Sequence, residues 1–188
     1  PGLMARRDED WWQEHPAGMP AAGELVAAER RLAVGNQEVR LMVGGRGHTT
    51  TDLWLYLERD GQQIVATGDV ASLSVYPFFD LGEGGADVPN MIRRLRQWAE
   101  DYPEAVFVPG HGPVATADDL LAHASFQAFL YDSVAGCRAA GLSEAETVRN
   151  IDLALFDLFI VPMFHYDHLA LSSRSNIRAM YRLQERGM

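Results

Sequence analysis

Apolar stretches separated by glycine-rich turns dominate the first half of the chain. Strands are predicted at residues 39–43, 53–57 and 64–67, where apolar and polar residues alternate or apolar residues follow one another. Residues 24–34 alternate only weakly. Asp60-Gly61 joins the second and third predicted strands as a tight hairpin, because this dipeptide suits the positive φ angles of such a turn. A further buried strand is predicted at residues 105–108.

Helical spacing replaces this pattern in the second half, where capping candidates, an acidic first turn or amphipathic spacing indicate the helix starts. The helices are predicted to begin at Asp87 or Asn90, at Thr116, at Ser143 with Glu146 closing a capping box, and at about Ser172. Residues 1–23 show no sustained period and are expected to form an irregular arm. Residues 24–188 are expected to form a single domain.

The composition and charge limit the kinds of partner that the chain is expected to bind. The chain has 188 residues, 47% of them hydrophobic, and a net charge of −10. Without a cluster of lysines or arginines, nucleic acid is not expected as a partner, because phosphate binding depends on concentrated positive charge. No apolar run reaches membrane-spanning length. The lone cysteine, Cys137, is expected to be a small core residue on a helix.

The expected location is the cytoplasm, because residues 1–15 contain no signal peptide. The first residue is Pro1, so a processed N-terminus, and with it the periplasm, stays open as an alternative.

Three glycine-rich turns carry the candidate chemistry. They are Gly47-His48 with Asp52 shortly after, Thr67-Gly68-Asp69, and Pro109-Gly110-His111-Gly112. Each follows a predicted strand, and glycine lets the backbone turn sharply so that a ligand at a strand end points into a common mouth. Imidazole nitrogen and carboxylate oxygen are ligands that zinc takes in proteins. Any one turn is a weak signal, whereas the ordered set is a strong one.

The order and spacing of these turns resemble the second half of the metallo-β-lactamase superfamily. The resemblance implies an α/β fold of the αββα type, of which this chain holds mainly the second sheet, its flanking helices and a C-terminal helical extension. It also implies that His48 ligates a first metal, Asp69 bridges two metals and His111 ligates the second. Asp69 would in addition orient the attacking water, and Asp52 would fix a turn rather than contact metal.

The family's first ligand motif, His-x-His-x-Asp-His, is missing before His48. The segment at residues 163–168, Met-Phe-His-Tyr-Asp-His, matches that motif except at its first ligand position, where Met163 stands. It is either a relocated replacement or part of the family's C-terminal tail, in which a histidine-containing turn precedes an Asn-Ile-x-x-x-Tyr helix such as the one that begins at Asn176. The tail interpretation is favoured, because short motifs recur by chance.

Half of such a fold leaves one face of its sheet bare. The residues expected on that face are Leu41, Val43, Trp54, Tyr56 and Val65. At about 25 cal/mol per Å² of apolar area, exposing such a face costs more than the net stability of a domain. The expected cover is a second copy of the chain in a homodimer, an associated N-terminal fragment, or the C-terminal third folding back.

The leading functional hypothesis is a zinc-dependent hydrolase, or a fragment of one. It would use one or two Zn²⁺ ions, with iron or manganese as alternatives, to activate water against a small-molecule ester, thioester or amide-type substrate. The second hypothesis is a catalytically inactive remnant that acts as a dimerising or binding module. The missing first motif favours the remnant, and the retained His48, Asp69 and His111 favour the enzyme.

Overall fold

The computed structural model describes residues 26–82, 85–156, 163–165 and 169–187. The predicted arm at residues 1–23 lies outside this range. Within it, five strands form one sheet in sequence order. The strands are β1 (Arg30–Val34), β2 (Gln37–Gly45), β3 (Asp52–Arg59), β4 (Gln62–Ser72) and β5 (Val106–His111). Successive strands are antiparallel as far as β4, whereas β5 pairs with β4 in parallel.

Four helices complete this part of the chain. They are α1 (Val88–Asp101), α2 (Ala117–Ala139), α3 (Glu144–Asn150) and α4 (Ser173–Glu185). Asp87 caps α1 by accepting a hydrogen bond from the Asn90 backbone N–H at 2.9 Å. Capping boxes at Thr116, Ser143 and Ser172 open the other three helices. The predicted helix starts are thereby confirmed.

The hairpin between β3 and β4 is also confirmed, with φ of 52° at Asp60 and 79° at Gly61. The end of β4 differs from the prediction. The strand was expected to stop at residue 67, but it continues through Asp69 to Ser72. Its pairing with β5 shifts register on both sides of Gly68, whose φ is +57°. Asp69 therefore stands in an irregular part of a strand rather than in a turn, because a bulge lets pairing resume beyond the glycine.

One face of the sheet packs against helices. Trp54 of β3 meets Trp98 of α1 edge to face, with ring centroids 5.5 Å apart. Tyr56, Val65 and Phe107 are register partners across β3, β4 and β5, so they share this face with Trp54. Val65 and Phe107 are fully buried. The helix α2 packs against α1, and Cys137 on α2 is buried as predicted.

The prediction of which residues lie on the bare face was partly wrong. Leu41 pairs with Leu55 and Val43 with Leu53, so these four side chains lie on the face opposite the helices. Trp54 pairs with Met42 instead. Trp54, Tyr56 and Val65 therefore belong to the helix-packed face. The cause is strand register, because one step along a strand moves a side chain to the other face.

The face opposite the helices, termed the open sheet face, is apolar through its middle, and its polar residues stand at strand ends. Its apolar members are Leu32, Val34, Val39, Leu41, Val43, Leu53, Leu55, Leu57, Ile64, Ala66, Val106 and Val108, and its polar members are Arg30, Gln37, Arg59 and Gln62. Leu32, Leu53 and Val108 are 39%, 41% and 39% exposed. An apolar surface of this extent is a site at which another surface is expected to bind.

The C-terminal helix ties the loop after β4 to the core. Ile177, Met180 and Leu183 of α4 are buried. The side-chain amide of Asn176 donates a hydrogen bond to the Pro77 carbonyl at 2.9 Å. None of the helices in the described ranges is long and apolar enough to cross a membrane.

The segment at residues 163–168 is described only in part. Met163–His165 forms β6, which pairs antiparallel with β7 (Leu169–Leu171). Residues 166–168 lie outside the described residues. The choice between a relocated metal motif and a C-terminal tail therefore stays open, although the helix predicted after it is present as α4.

Two adjacent leucines of α2 test the packing. Leu120 is fully buried, whereas Leu121 is 42% exposed. We expect Leu120→Ala to lower the free energy of unfolding by about 3 kcal/mol, because it removes buried methyl groups and leaves a cavity. Leu121→Ala should cost less than about 1 kcal/mol. Urea denaturation measures both, and equal losses would contradict this packing.

Candidate metal centre

The turn that carries His48 is held by Asp52. One carboxylate oxygen of Asp52 accepts the His48 backbone N–H at 2.6 Å. The other accepts the Thr49 backbone N–H at 3.0 Å and the Thr49 hydroxyl at 2.7 Å. A Cβ on Gly47 would overlap this carboxylate, so the glycine is required by close approach. The prediction that Asp52 fixes the turn is confirmed.

Asp69 and His111 are brought together at the carboxyl ends of β4 and β5. Asp69 Oδ1 lies 3.6 Å from His111 Nε2, and their side chains are 42% and 30% exposed. Both strands run in the same direction, so their carboxyl ends meet at one edge of the sheet. A Cβ on Gly110 would overlap Asp69 Oδ1, which means that the carboxylate occupies the space that a side chain would need.

His48 reaches the same edge by another route. β2 ends at Gly45, which pairs with Asp52 at the start of β3, and antiparallel pairing places the start of β3 beside the end of β4. The His48 ring lies 6.0 Å from the ring of Phe78. Across the described ranges, however, no three His, Cys, Asp or Glu side chains form a group that could hold a metal ion.

The donor chemistry fits zinc in part. A carboxylate oxygen and an imidazole nitrogen face each other, both are partly open to solvent, and zinc takes both kinds of ligand. His48 does not join this pair in a group of three side chains that could hold a metal ion, so the predicted ligand set is only partly assembled in the described ranges. The three-residue ligand set thus stays a prediction, with Asp69 and His111 as the pair that the structure brings together.

Sequence reasoning missed a buried histidine close to this edge. His123 of α2 is 6% exposed. Its Nε2 lies 2.9 Å from Gln127 Nε2 and 3.5 Å from the backbone nitrogen of Ser72, which is the register partner of His111. Burial lowers the pKa of His123 to about 4. The available signal was its position on the apolar face of α2, between Leu120 and Ala124.

No protein-family model matches this sequence, and no curated protein matches it. Solved structures do resemble it. The sec-alkylsulfatase Pisa1 from a Pseudomonas species is 17% identical with a TM-score of 0.60, over 85% of this chain and 26% of that one. A beta-lactamase domain protein from Burkholderia ambifaria is 14% identical with a TM-score of 0.56, over 93% of this chain and 49% of that one. A metallo-beta-lactamase from Pontibacter korlensis is 26% identical with a TM-score of 0.46, over 63% of this chain and 53% of that one.

The alkylsulfatase and the beta-lactamase domain protein confirm the predicted α/β fold. The chain shares its fold with part of each of these two proteins, in a mixed α/β arrangement of one sheet and flanking helices. It spans about a quarter of the alkylsulfatase and about half of the other two proteins. The matched share is consistent with the predicted C-terminal half.

Gly110 gives a direct test of the edge geometry. A Cβ there would lie 2.8 Å from the Asp69 backbone nitrogen as well as overlapping its carboxylate. We expect Gly110→Ala to lower the free energy of unfolding by about 1–3 kcal/mol through overpacking. Gly136 of α2 has nothing within 4 Å of an added Cβ. Gly136→Ala should stabilise the protein by up to about 1 kcal/mol. Opposite signs in chemical denaturation support the geometry, and a neutral Gly110→Ala contradicts it.

The buried imidazole predicts a pH dependence. The pKa of His123 falls from 6.5 to about 4 on folding because burial disfavours the charged ring. Between these values the unfolded chain binds the extra proton, so stability is lost as pH drops from 6.5 to 4. The loss from this group is about 3 kcal/mol. The stability difference between wild type and His123→Gln should shrink by that amount over this range. A difference that does not change with pH would contradict the assignment.

Proposed function

We propose that this chain is the metal-binding half of a zinc-dependent hydrolase, acting on a small-molecule ester, thioester or amide-type substrate. The observation that carries the proposal is the approach of Asp69 Oδ1 to His111 Nε2 at 3.6 Å, at the carboxyl ends of two parallel strands. The metallo-β-lactamase-type fold supports the proposal, since hydrolases are among the proteins that share the fold.

The residues have distinct roles in this proposal. Asp69 and His111 would hold zinc, and His48 would supply a further ligand from the turn that Asp52 fixes. The metal would supply Lewis-acid activation of a water molecule and of the substrate oxygen. Asp69 also orients the attacking water through its carboxylate. The number of metal ions is one or two, and iron or manganese are alternatives to zinc.

The open sheet face requires a cover in this proposal. We propose a second copy of the chain or an associated N-terminal fragment, because the face is apolar across all five strands and the matched proteins are about two to four times longer than the part matched here. A covering chain that carries the missing first ligand motif would complete the donor set.

The alternative function is an inactive remnant that serves as a dimerising or binding module. One observation favours it, namely that the described residues hold no group of three metal-capable side chains. The open sheet face would then be the functional surface itself. Metal content separates the two functions, because the remnant needs none.

Zinc titration of purified protein tests the proposal. Asp69→Asn and His111→Ala should abolish stoichiometric zinc binding, because each removes a ligand. Asp52→Asn should weaken binding about 10–100-fold, because it loosens the turn that orients His48. Asp132→Asn, an exposed change on α2, is the matched control and should leave zinc affinity unchanged.

Zinc-dependent hydrolysis of a thioester or ester panel, lost in Asp69→Asn but not in Asp132→Asn, would support the enzyme. Wild-type protein that takes up no zinc at saturation, or an Asp69→Asn variant that binds zinc as tightly as wild type, would contradict the proposal.

A further inference from the structure

A groove of about 520 Å³ lies between the N-terminal half of α2 and the chain segments that follow β4 and β5. We term it the α2 groove. Its wall includes Leu73, Pro113, Ala115, His123, Phe126 and Phe156. A cavity of this size lies within the range of small-molecule sites, which are mostly apolar with a few placed polar groups.

The α2 groove adjoins the candidate metal centre. The Leu73 backbone N–H donates to the His111 carbonyl at 2.9 Å, so one wall is hydrogen-bonded directly to a proposed ligand residue. The lining also includes Pro113, which directly follows Gly112. Gly112 has a φ of +94°, and a Cβ there would overlap the Leu73 carbonyl. This close approach fixes the groove relative to the end of β5.

Aromatic rings form the groove's apolar side. The rings of Phe126 and Phe156 meet edge to face at 5.0 Å, and the ring of His123 stacks on Phe126 at 6.4 Å. Phe126 is almost fully buried, whereas Phe156 is partly open. This wall therefore presents an apolar surface that the alkyl chain of a small molecule could contact. The packing of the rings on one another holds the wall in place.

His123 is one of three polar residues that line the groove, with Ser74 and Asp119, and its contact with the Ser72 backbone indicates its tautomer. A backbone N–H can only donate, so the contact from Ser72 makes Nε2 an acceptor. The side-chain amide of Gln127 lies 2.9 Å from the same ring nitrogen. The Ser72 contact is the one that assigns the ring proton of the neutral imidazole to Nδ1. Among the described residues no hydrogen-bond partner of Nδ1 is present, so that N–H is available to a ligand.

Charge selects the kind of ligand. Asp119 stands at the groove, and hydrogen bonds from the backbone and side chain of Thr116 lower its pKa, which keeps the carboxylate ionised at neutral pH. The whole chain carries a net charge of −10. Burial keeps His123 uncharged at neutral pH, so it cannot compensate an anion. A neutral acceptor oxygen on an apolar chain fits these surroundings, and a carboxylate does not.

We propose that the α2 groove binds the apolar acyl or alkyl chain of an uncharged carbonyl compound, whose oxygen accepts a hydrogen bond from His123 Nδ1–H. Resting on the proposed function, the groove then seats the apolar end of the substrate next to the metal centre and selects acyl-chain substrates over small polar ones. The binding itself needs no metal.

The test uses 2-octanone, which carries a carbonyl and an apolar chain and has no bond that a hydrolase cleaves. Binding to the full chain, with no metal added, is followed by ¹⁵N–¹H NMR. The expected result is a saturable shift of the His123 ring nitrogens and of the Phe126 backbone amide. Octanoate should bind at least tenfold more weakly because of its charge, and acetone should not bind because it lacks the chain.

Two variants complete the test. Ala122 lines the α2 groove and is exposed, so Ala122→Phe fills the groove without disturbing the core and should weaken 2-octanone binding at least tenfold. Ala139→Phe, near the exposed end of the same helix, is the matched control and should bind as wild type does. His123→Phe should cost about tenfold, the order of one neutral hydrogen bond.

Three results would overturn the proposal. They are the absence of any shift with 2-octanone, unchanged binding in Ala122→Phe, and equal affinity for octanoate. Failure here is distinct from failure of the proposed function, because Ala122→Phe leaves zinc binding intact and the Asp69→Asn variant leaves 2-octanone binding intact.

Discussion

Parallel pairing between β4 and β5 is the interaction on which the candidate centre depends. It places the carboxyl ends of both strands at one edge, and there Asp69 and His111 come within 3.6 Å of each other. The close approach is set by backbone rather than by side-chain choice, because Gly110 leaves the space that the Asp69 carboxylate fills. Moving either strand by one residue would turn one of these side chains to the other face.

Helices pack against one face of the sheet and hold the strand ends at this edge in place. The helices α1 and α2 cover the face that carries Trp54, Val65 and Phe107, and their capping residues fix where each helix starts. From α2, His123 reaches the Ser72 backbone at the same edge. The packed face thus holds the strand ends, while the open sheet face leaves the other side of the edge for a covering chain.

Local signals made most elements predictable. Asp60-Gly61 and the Ser143–Glu146 pair act within a few residues, so their turn and helix start could be inferred without tertiary structure. The assignment of Trp54, Tyr56 and Val65 to the bare face failed because facing depends on the register between strands, which no single strand encodes. The extension of β4 to Ser72 was missed for a related reason, since it arises from pairing with β5 beyond the bulge at Gly68.

The candidate site was also predictable in part from local sequence signals. Glycine next to each ligand indicated strand ends at a shared edge, and this held for Asp69 and His111. The position of His48 relative to them depends on the path of a turn, which Asp52 shapes through three hydrogen bonds. His123 carried no motif at all, because a single histidine on an apolar helix face resembles an ordinary core residue in sequence.

The central claim is that one edge of the sheet presents Asp69 and His111 to a common metal ion. Zinc K-edge X-ray absorption of the zinc-loaded protein tests it most directly. The account predicts light-atom ligands only, with imidazole nitrogen and carboxylate oxygen at about 2.0–2.2 Å, and an imidazole contribution that falls in His111→Ala. A spectrum that shows sulfur near 2.3 Å, or one that is identical in wild type and His111→Ala, would contradict the account.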